Sequence, residues 1–168
     1  MLLDVQQVLP LPEAADYQIQ VREKARRERA QRRNTRDLTK YDVTIAGHTE
    51  ERLPKRRTIY AVVRHLCSHG VSPDEIHAVM DWRGTGLWRE VEGEVDADEF
   101  KRQASAAAAA GGPAFHPRRW FCDDDELIRH GGKTYALTKM WGRRFQEALQ
   151  GLLDTFPTDA ISVVPTSW

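Results

Sequence analysis

Three groups of residues have the types and spacing for chemistry. Pro73-Asp74 followed by Glu99-Phe100-Lys101 carries the carboxylates and lysine of a PD…ExK set. That chemistry brings two carboxylates and a lysine on adjacent strands to a divalent metal. Here both pieces fall where a helix is expected to start, and helix capping by itself explains Pro, Asp and Glu at such positions. A metal-dependent nuclease is therefore kept only as a second alternative. His65-x-Cys67-x-His69 places two imidazoles four residues apart, a spacing that can hold a metal on a helix, but no further ligand set lies nearby. Histidines near a helix C-terminus are accounted for by the negative end of its dipole. Asp123-Asp124-Asp125-Glu126 is an acidic run at a strand connection, and such runs are expected to face water. The same acids raise the pKa of the neighbouring Cys122 thiol and work against a nucleophilic role. No Gly-rich phosphate loop, G-x-S-x-G or Cys/His nucleophile arrangement is present. No catalytic residue, metal ligand or cofactor is assigned.

The remaining chemistry is cationic and aromatic. Residues 22–36 carry eight Arg/Lys, among them Arg26, Arg27, Arg32 and Arg33, against Glu23 and Glu28. Arg129-His130-Gly131-Gly132-Lys133 puts Arg129 and Lys133 at a basic hairpin tip, and Arg143 and Arg144 lie where a helix begins. Backbone N–H groups at a helix start also favour phosphate. Arg83, Arg89, Arg118 and Arg119 are interleaved with Trp82, Trp88 and Trp120, a mixture suited to nucleic-acid contact. The expected contacts to phosphate, most simply on double-stranded DNA, are Arg26, Arg27, Arg32, Arg33, Arg129, Lys133, Arg143 and Arg144.

The elements that must hold these residues are legible from local patterns. Residues 126–137 read as a hairpin about Gly131-Gly132, since two adjacent turn positions with positive φ suit glycine. Phe145, Ala148, Leu149, Leu152, Leu153 and Phe156 then mark one face of an amphipathic helix. Residues 41–53 form a second hairpin with Ala46-Gly47 at its turn, and Pro54 opens a helix with the stripe Ile59, Val62, Val63, Leu66 and Cys67, stopped at Gly70. Ser72-Pro73-Asp74-Glu75 is a capping box with Pro at the first helical position, and Val71 and Ile76 form its staple. Asp96 and Glu99 repeat the pattern for a helix that runs into Ala106–Ala110 and breaks at Gly111-Gly112-Pro113. Short strands are expected within residues 87–95, at 118–122 and at 160–164. The two hairpin–helix units align at offsets of 84 to 86 residues, which raises an internal duplication as one reading and chance similarity of such units as the other. The helix pair joined by His69-Gly70-Val71, with a basic hairpin as wing, resembles a helix-turn-helix. The acidic start at Asp74-Glu75 argues against inserting that second helix into a major groove.

Composition sets the outer bounds. The chain has 168 residues with 25 Lys+Arg and 25 Asp+Glu, a neutral total that argues against indiscriminate coating of nucleic acid. No apolar run reaches the roughly 20 residues of a membrane span, and the N-terminus lacks the basic and apolar regions of a secretory signal. Cys67 and Cys122 fit no metal spacing or disulfide framework, so a cytoplasmic protein with free thiols is expected. Residues 13–33 read as a helix that is polar on nearly all sides. It is either simply solvated or a basic arm that lies on nucleic acid or an acidic partner.

KYDVTIAGHTEERLPKRRTIYAVVRHLCSHGVSPDEI, together with GGKTYALTKMWG, resembles an uncharacterised bacterial domain found C-terminal to nuclease-like or other DNA-handling domains. The resemblance covers residues 39–157 and rests on spacing and turns. It implies an accessory role near DNA, in defence or restriction, with no enzyme upstream of the basic arm, and it carries no functional residues. The expectation is thus an α+β protein, winged-helix-like, with a lead and basic helical arm over 1–38 and one domain over 39–168. It has two hairpin–helix units around a capped helix pair. The expected function is a non-catalytic nucleic-acid-binding module or accessory subunit of a hetero-complex. The alternative is a protein–protein adaptor docking through residues 1–36.

Overall fold

The computed structural model describes residues 19–27 and 38–166, and the chain divides into units 1–38 and 39–168. In the first unit, residues 19–27 are helical and exposed on every side. The second unit is an α+β fold of two three-stranded antiparallel sheets and four helices.

The first sheet has β1 (Lys40–Ile45) at its centre, flanked by β2 (His48–Pro54) and β6 (Ile161–Pro165). Tyr41 and Val43 alternate inward from β1 into the core. Ala46 and Gly47 make the turn with φ of 50° and 82°. The β1–β2 register slips between Tyr41 and Val43, where Arg52 takes a positive φ of 57°. Asp42 stabilises this bulge: its Oδ1 accepts from Arg52 N at 2.8 Å and from Thr166 Oγ1 at 2.7 Å. Charged residues, a bulge and Pro54 also keep the β2 edge from pairing with another chain.

The second sheet has order β3-β5-β4, from β3 (Trp88–Glu92), β5 (Lys133–Leu137) and β4 (Ile128–His130). Gly131 and Gly132 turn the hairpin with φ of 59° and 77°. Strand β5 is buried on both faces. Tyr135 and Leu137 enter the larger core, while Ala136 enters a smaller one with Phe100, Ala104 and Trp120. Helix α1 (Lys55–Ser68) contributes Ile59, Val62, Val63 and Leu66 to the larger core, and α4 (Phe145–Thr155) contributes Phe145, Ala148, Leu149 and Leu152. Between them lies the short α2 (Pro73–Val79), closed by the expected capping box: Glu75 N donates to Ser72 Oγ and Ser72 N to Glu75 Oε2. The smaller core is covered by α3 (Ala97–Ala109). Asp96 caps α3 through Glu99 N at 2.9 Å, but the Glu99 carboxylate turns to Arg102 and Gln103 instead of back to the cap.

The strand expected at residues 118–122 is absent. Pro117–Arg119 form a 3-10 turn, Trp120 N donates into it to Pro117 O, and only one bridge, Trp120 to Thr138, reaches the sheet. Proline fixes the turn's first φ, and the turn uses the Arg119 N–H, which donates to His116 O at 2.9 Å, where a longer ladder would need it for Lys139 O. The hairpin–helix echo stops at the third strand. β6 flanks the first strand of its hairpin, whereas β3 flanks the second strand of the other. Among the described residues no helix is long and apolar enough to cross a membrane.

Candidate functional site

Helix α1 carries Lys55, Arg56, Arg57 and Arg64 and no acidic residue. Three of these cations crowd its first turn, and Pro54 supplies no side-chain cap. Like charge at the positive end of a helix dipole costs about 0.3–1 kcal/mol per residue. Of the three, Arg57 is paired with the buried Glu126, and Lys55 lies 5.6 Å from the Phe145 ring.

Arg57, Ala61, Arg64 and Ser68 recur at helical spacing along one face of α1. With Tyr60 and His65 they form one wall of a groove of about 410 Å³, and Ile45, His48 and Glu50 of the β1–β2 hairpin complete it. The phenol of Tyr60 is packed against Phe121, with ring centroids 4.4 Å apart, and its hydroxyl donates to Asp125 O at 3.2 Å. Burial pushes the Tyr60 pKa up, so it remains a neutral phenol. Arg64 is exposed, lies 6.0 Å from the Tyr60 ring and has no carboxylate partner among the described residues. Arg57 bridges inward and outward: Nη1 is 2.9 Å from Glu126 Oε1, and the guanidinium lies 5.1 Å from the Phe121 ring. His65 stacks on His69 at 4.1 Å, and its pKa is lowered first by burial and then by His69, which keeps the ring neutral near pH 7. The groove thus offers two guanidinium groups and imidazole and phenol hydrogen-bonding groups, opposed by the single carboxylate of Glu50.

Sequence reasoning singled out neither Arg57 nor Arg64. The spacing of seven between them was the available signal. It also placed Glu126 in a solvated acidic turn, and that is corrected: Glu126 is 4% exposed, paired with Arg57 and with Lys139 Nζ at 3.8 Å. Of its neighbours, Asp124 Oδ1 accepts from Ala97 N at 2.7 Å and Asp123 Oδ1 from Lys101 Nζ at 3.3 Å.

Most of the expected phosphate ligands in the second unit already have intramolecular partners. Both Nε and Nη2 of Arg129 donate to Val95 O, at 3.2 and 2.8 Å. Lys133 Nζ lies 3.0 Å from Glu90 and 3.4 Å from Glu92, so the hairpin tip is locally neutralised. Arg144 is clamped by Glu147, and Arg143 is exposed beside it. In the first unit Arg26 and Arg27 are exposed on the helix, while Arg32 and Arg33, and most of the adaptor segment 1–36, lie outside the described residues. Two of the interleaved tryptophans face arginines of the domain itself, Arg89 lying 5.0 Å from Trp120 and Arg83 5.3 Å from Trp82, whereas Trp88 meets Tyr135 edge-on and donates Nε1 to Pro73 O at 3.1 Å.

The carboxylates of the PD…ExK set stand in the first turns of two helices, Asp74 on α2 and Glu99 on α3. Glu99 is held by Arg102, whose hydrogen bonds lower its pKa to about 2. Both thiols are free; burial pushes Cys67 up to about 12 and raises Cys122 as well. Among the described residues no group of three His, Cys, Asp or Glu side chains is placed to hold a metal ion. Gly70, with φ of 96°, joins α1 to α2, but β3 and α3 intervene before the β4–β5 hairpin that would serve as a wing. No protein-family model, curated protein or solved structure matches the chain.

Proposed function

We propose that the domain is a non-catalytic nucleic-acid-binding module that docks phosphate along α1, and acts as an accessory subunit. The observation that carries this reading is the groove between α1 and the β1–β2 hairpin, where Arg57 and Arg64 stand two helical turns apart beside Tyr60. Arg57 is already paired with Glu126, so the cation that an anion would meet there is chiefly Arg64, which has no carboxylate partner among the described residues. Arg56 is exposed on the same helix and extends the positive surface. Phosphate contacts of this kind position a nucleic acid without reading its sequence.

The test is fluorescence anisotropy with a short DNA duplex over a range of salt. Wild-type protein is expected to bind at low salt, with affinity falling steeply as salt rises. Arg64→Glu should weaken binding about tenfold and reduce the salt slope by about one. Lys133→Glu, at a position already balanced by Glu90 and Glu92, should have less effect. No binding of any nucleic acid at low salt would overturn the proposal.

A further inference from the structure

A second surface is built around Trp141, Arg83, Trp82 and Arg144. The Arg83 guanidinium lies 4.3 Å from the Trp141 ring and 5.3 Å from Trp82, and the Arg144 guanidinium lies 4.0 Å from Trp82. Ring and guanidinium therefore alternate, Trp–Arg–Trp–Arg. The inner arginine is fully committed: Arg83 Nη2 donates to Met140 O, and its Nε is buried without a hydrogen-bond partner. The outer one is held flat. Arg144 Nε donates to Glu147 Oε2 at 2.6 Å and Nη2 to Glu147 Oε1. Its side chain is nonetheless 47% exposed. Trp82 lies 4.0 Å away on one side and Glu147 takes one edge, and nearly half of the side chain remains open to a further contact.

Two consequences follow for what that face can bind. The Arg144 charge is already balanced by Glu147, which makes it a weak phosphate ligand. Its plane is unimpaired, and guanidinium planes stack on nucleobases. Its position has also been ordered by the ladder and the carboxylate clamp, so little conformational freedom remains to be lost on binding. Arg143, adjacent and exposed, has no ion pair among the described residues and is free to meet the sugar–phosphate backbone. A duplex hides its base faces, so only an unpaired base can extend the alternation.

We propose that the open end of this ladder is a stacking site for an unpaired nucleobase, with Arg144 as the plate and Arg143 as the phosphate contact. This rests on the nucleic-acid reading above and specifies a single-stranded ligand for this part of the surface. The test compares a short oligo(dT) with an abasic oligomer of the same length, which keeps the phosphates and lacks the bases. Wild-type full-length protein is expected to bind oligo(dT) about tenfold more tightly than the abasic oligomer. Arg144→Lys keeps the charge and removes the plate; it should abolish the preference by weakening oligo(dT) binding to the level of the abasic oligomer. Equal binding of the two oligomers by wild-type protein, or an Arg144→Lys variant that retains the preference, overturns the stacking site and leaves the phosphate reading standing. Absence of binding to both oligomers and to duplex overturns both proposals.

Discussion

Glu126 is a buried carboxylate that links separate elements of the domain. It precedes β4 and reaches across to Arg57 on α1 and Lys139 beyond β5. Its side chain is 5% exposed, whereas that of Arg57 is 46% exposed. Truncating one partner of a fully buried pair costs about 3–5 kcal/mol because the other charge is stranded. Solvent reaches Arg57 here, so Glu126→Gln is expected to cost about 2 kcal/mol, read as a lower urea midpoint with an unchanged m-value. A loss below about 0.5 kcal/mol would show that water compensates the arginine fully. The sequence did not reveal this role. Four consecutive acids look alike in one dimension, and only the placement of α1 decides which of them turns inward. The same limit hid the groove: Arg57 and Arg64 are visibly seven apart, but His48 and Glu50 face them only because of a hairpin fold.

At the scale of elements, local chemistry was the most informative part of the sequence. The Ser72 cap, both hairpin turns and the apolar stripes of α1 and α4 depend on residues a few positions apart and form as read, and Asp96 caps α3 without the return bond expected from Glu99. The strand expected at 118–122 failed because Pro117 starts a turn whose closure is also local, and that turn was not recognised. Close approach of elements was not legible at all. Helix α2 packs on α4 at Gly151, where an added Cβ would stand 3.0 Å from Val79 Cγ1. Opposing effects meet at this position. Alanine gains about 1 kcal/mol over glycine in a helix interior, but Val79 must shift by a few tenths of an ångström to admit it. Gly151→Ala is therefore expected to be nearly neutral. Gly151→Leu adds three further carbons at the same contact and should lose about 1–3 kcal/mol by forcing α2 off α4. Equal stability of the leucine variant, measured by urea unfolding, would mean that the helix pair is loosely packed.

For the whole molecule, zero net charge conceals a consistent bias in how acids are held. Asp42 is lowered first by the Arg52 N–H, Glu75 by the Ser72 N–H, Glu99 by Arg102 and Glu147 by Arg144. They sit in the first sheet, on α2, on α3 and on α4, so four separate elements share the same sign of pH dependence in acid. In the unfolded chain these groups titrate near pH 4, and in the folded chain lower, to about 2 for Glu99. The unfolded state therefore binds more protons in that interval, and stability falls as pH falls. His65, lowered by burial, adds a loss of the same sign that begins as pH drops through about 6.5. The melting temperature should be level between about pH 7 and 8, decline slightly towards pH 5 and fall continuously from about pH 4.5 to pH 2; it should also fall above about pH 8.5, where the unfolded chain loses the Cys67 proton that the folded chain keeps until about pH 12. Two variants separate the causes. Glu99→Gln should flatten the lowest part of the curve, and high salt should imitate it, because the Glu99–Arg102 pair is open to solvent. Glu75→Gln should flatten the curve below about pH 4.5 with little sensitivity to salt, since its hydrogen-bond partners are the Ser72 N–H and hydroxyl rather than an ion. A melting temperature that stays constant down to pH 2 in wild-type protein would show that these contacts persist in the unfolded chain or contribute nothing to stability.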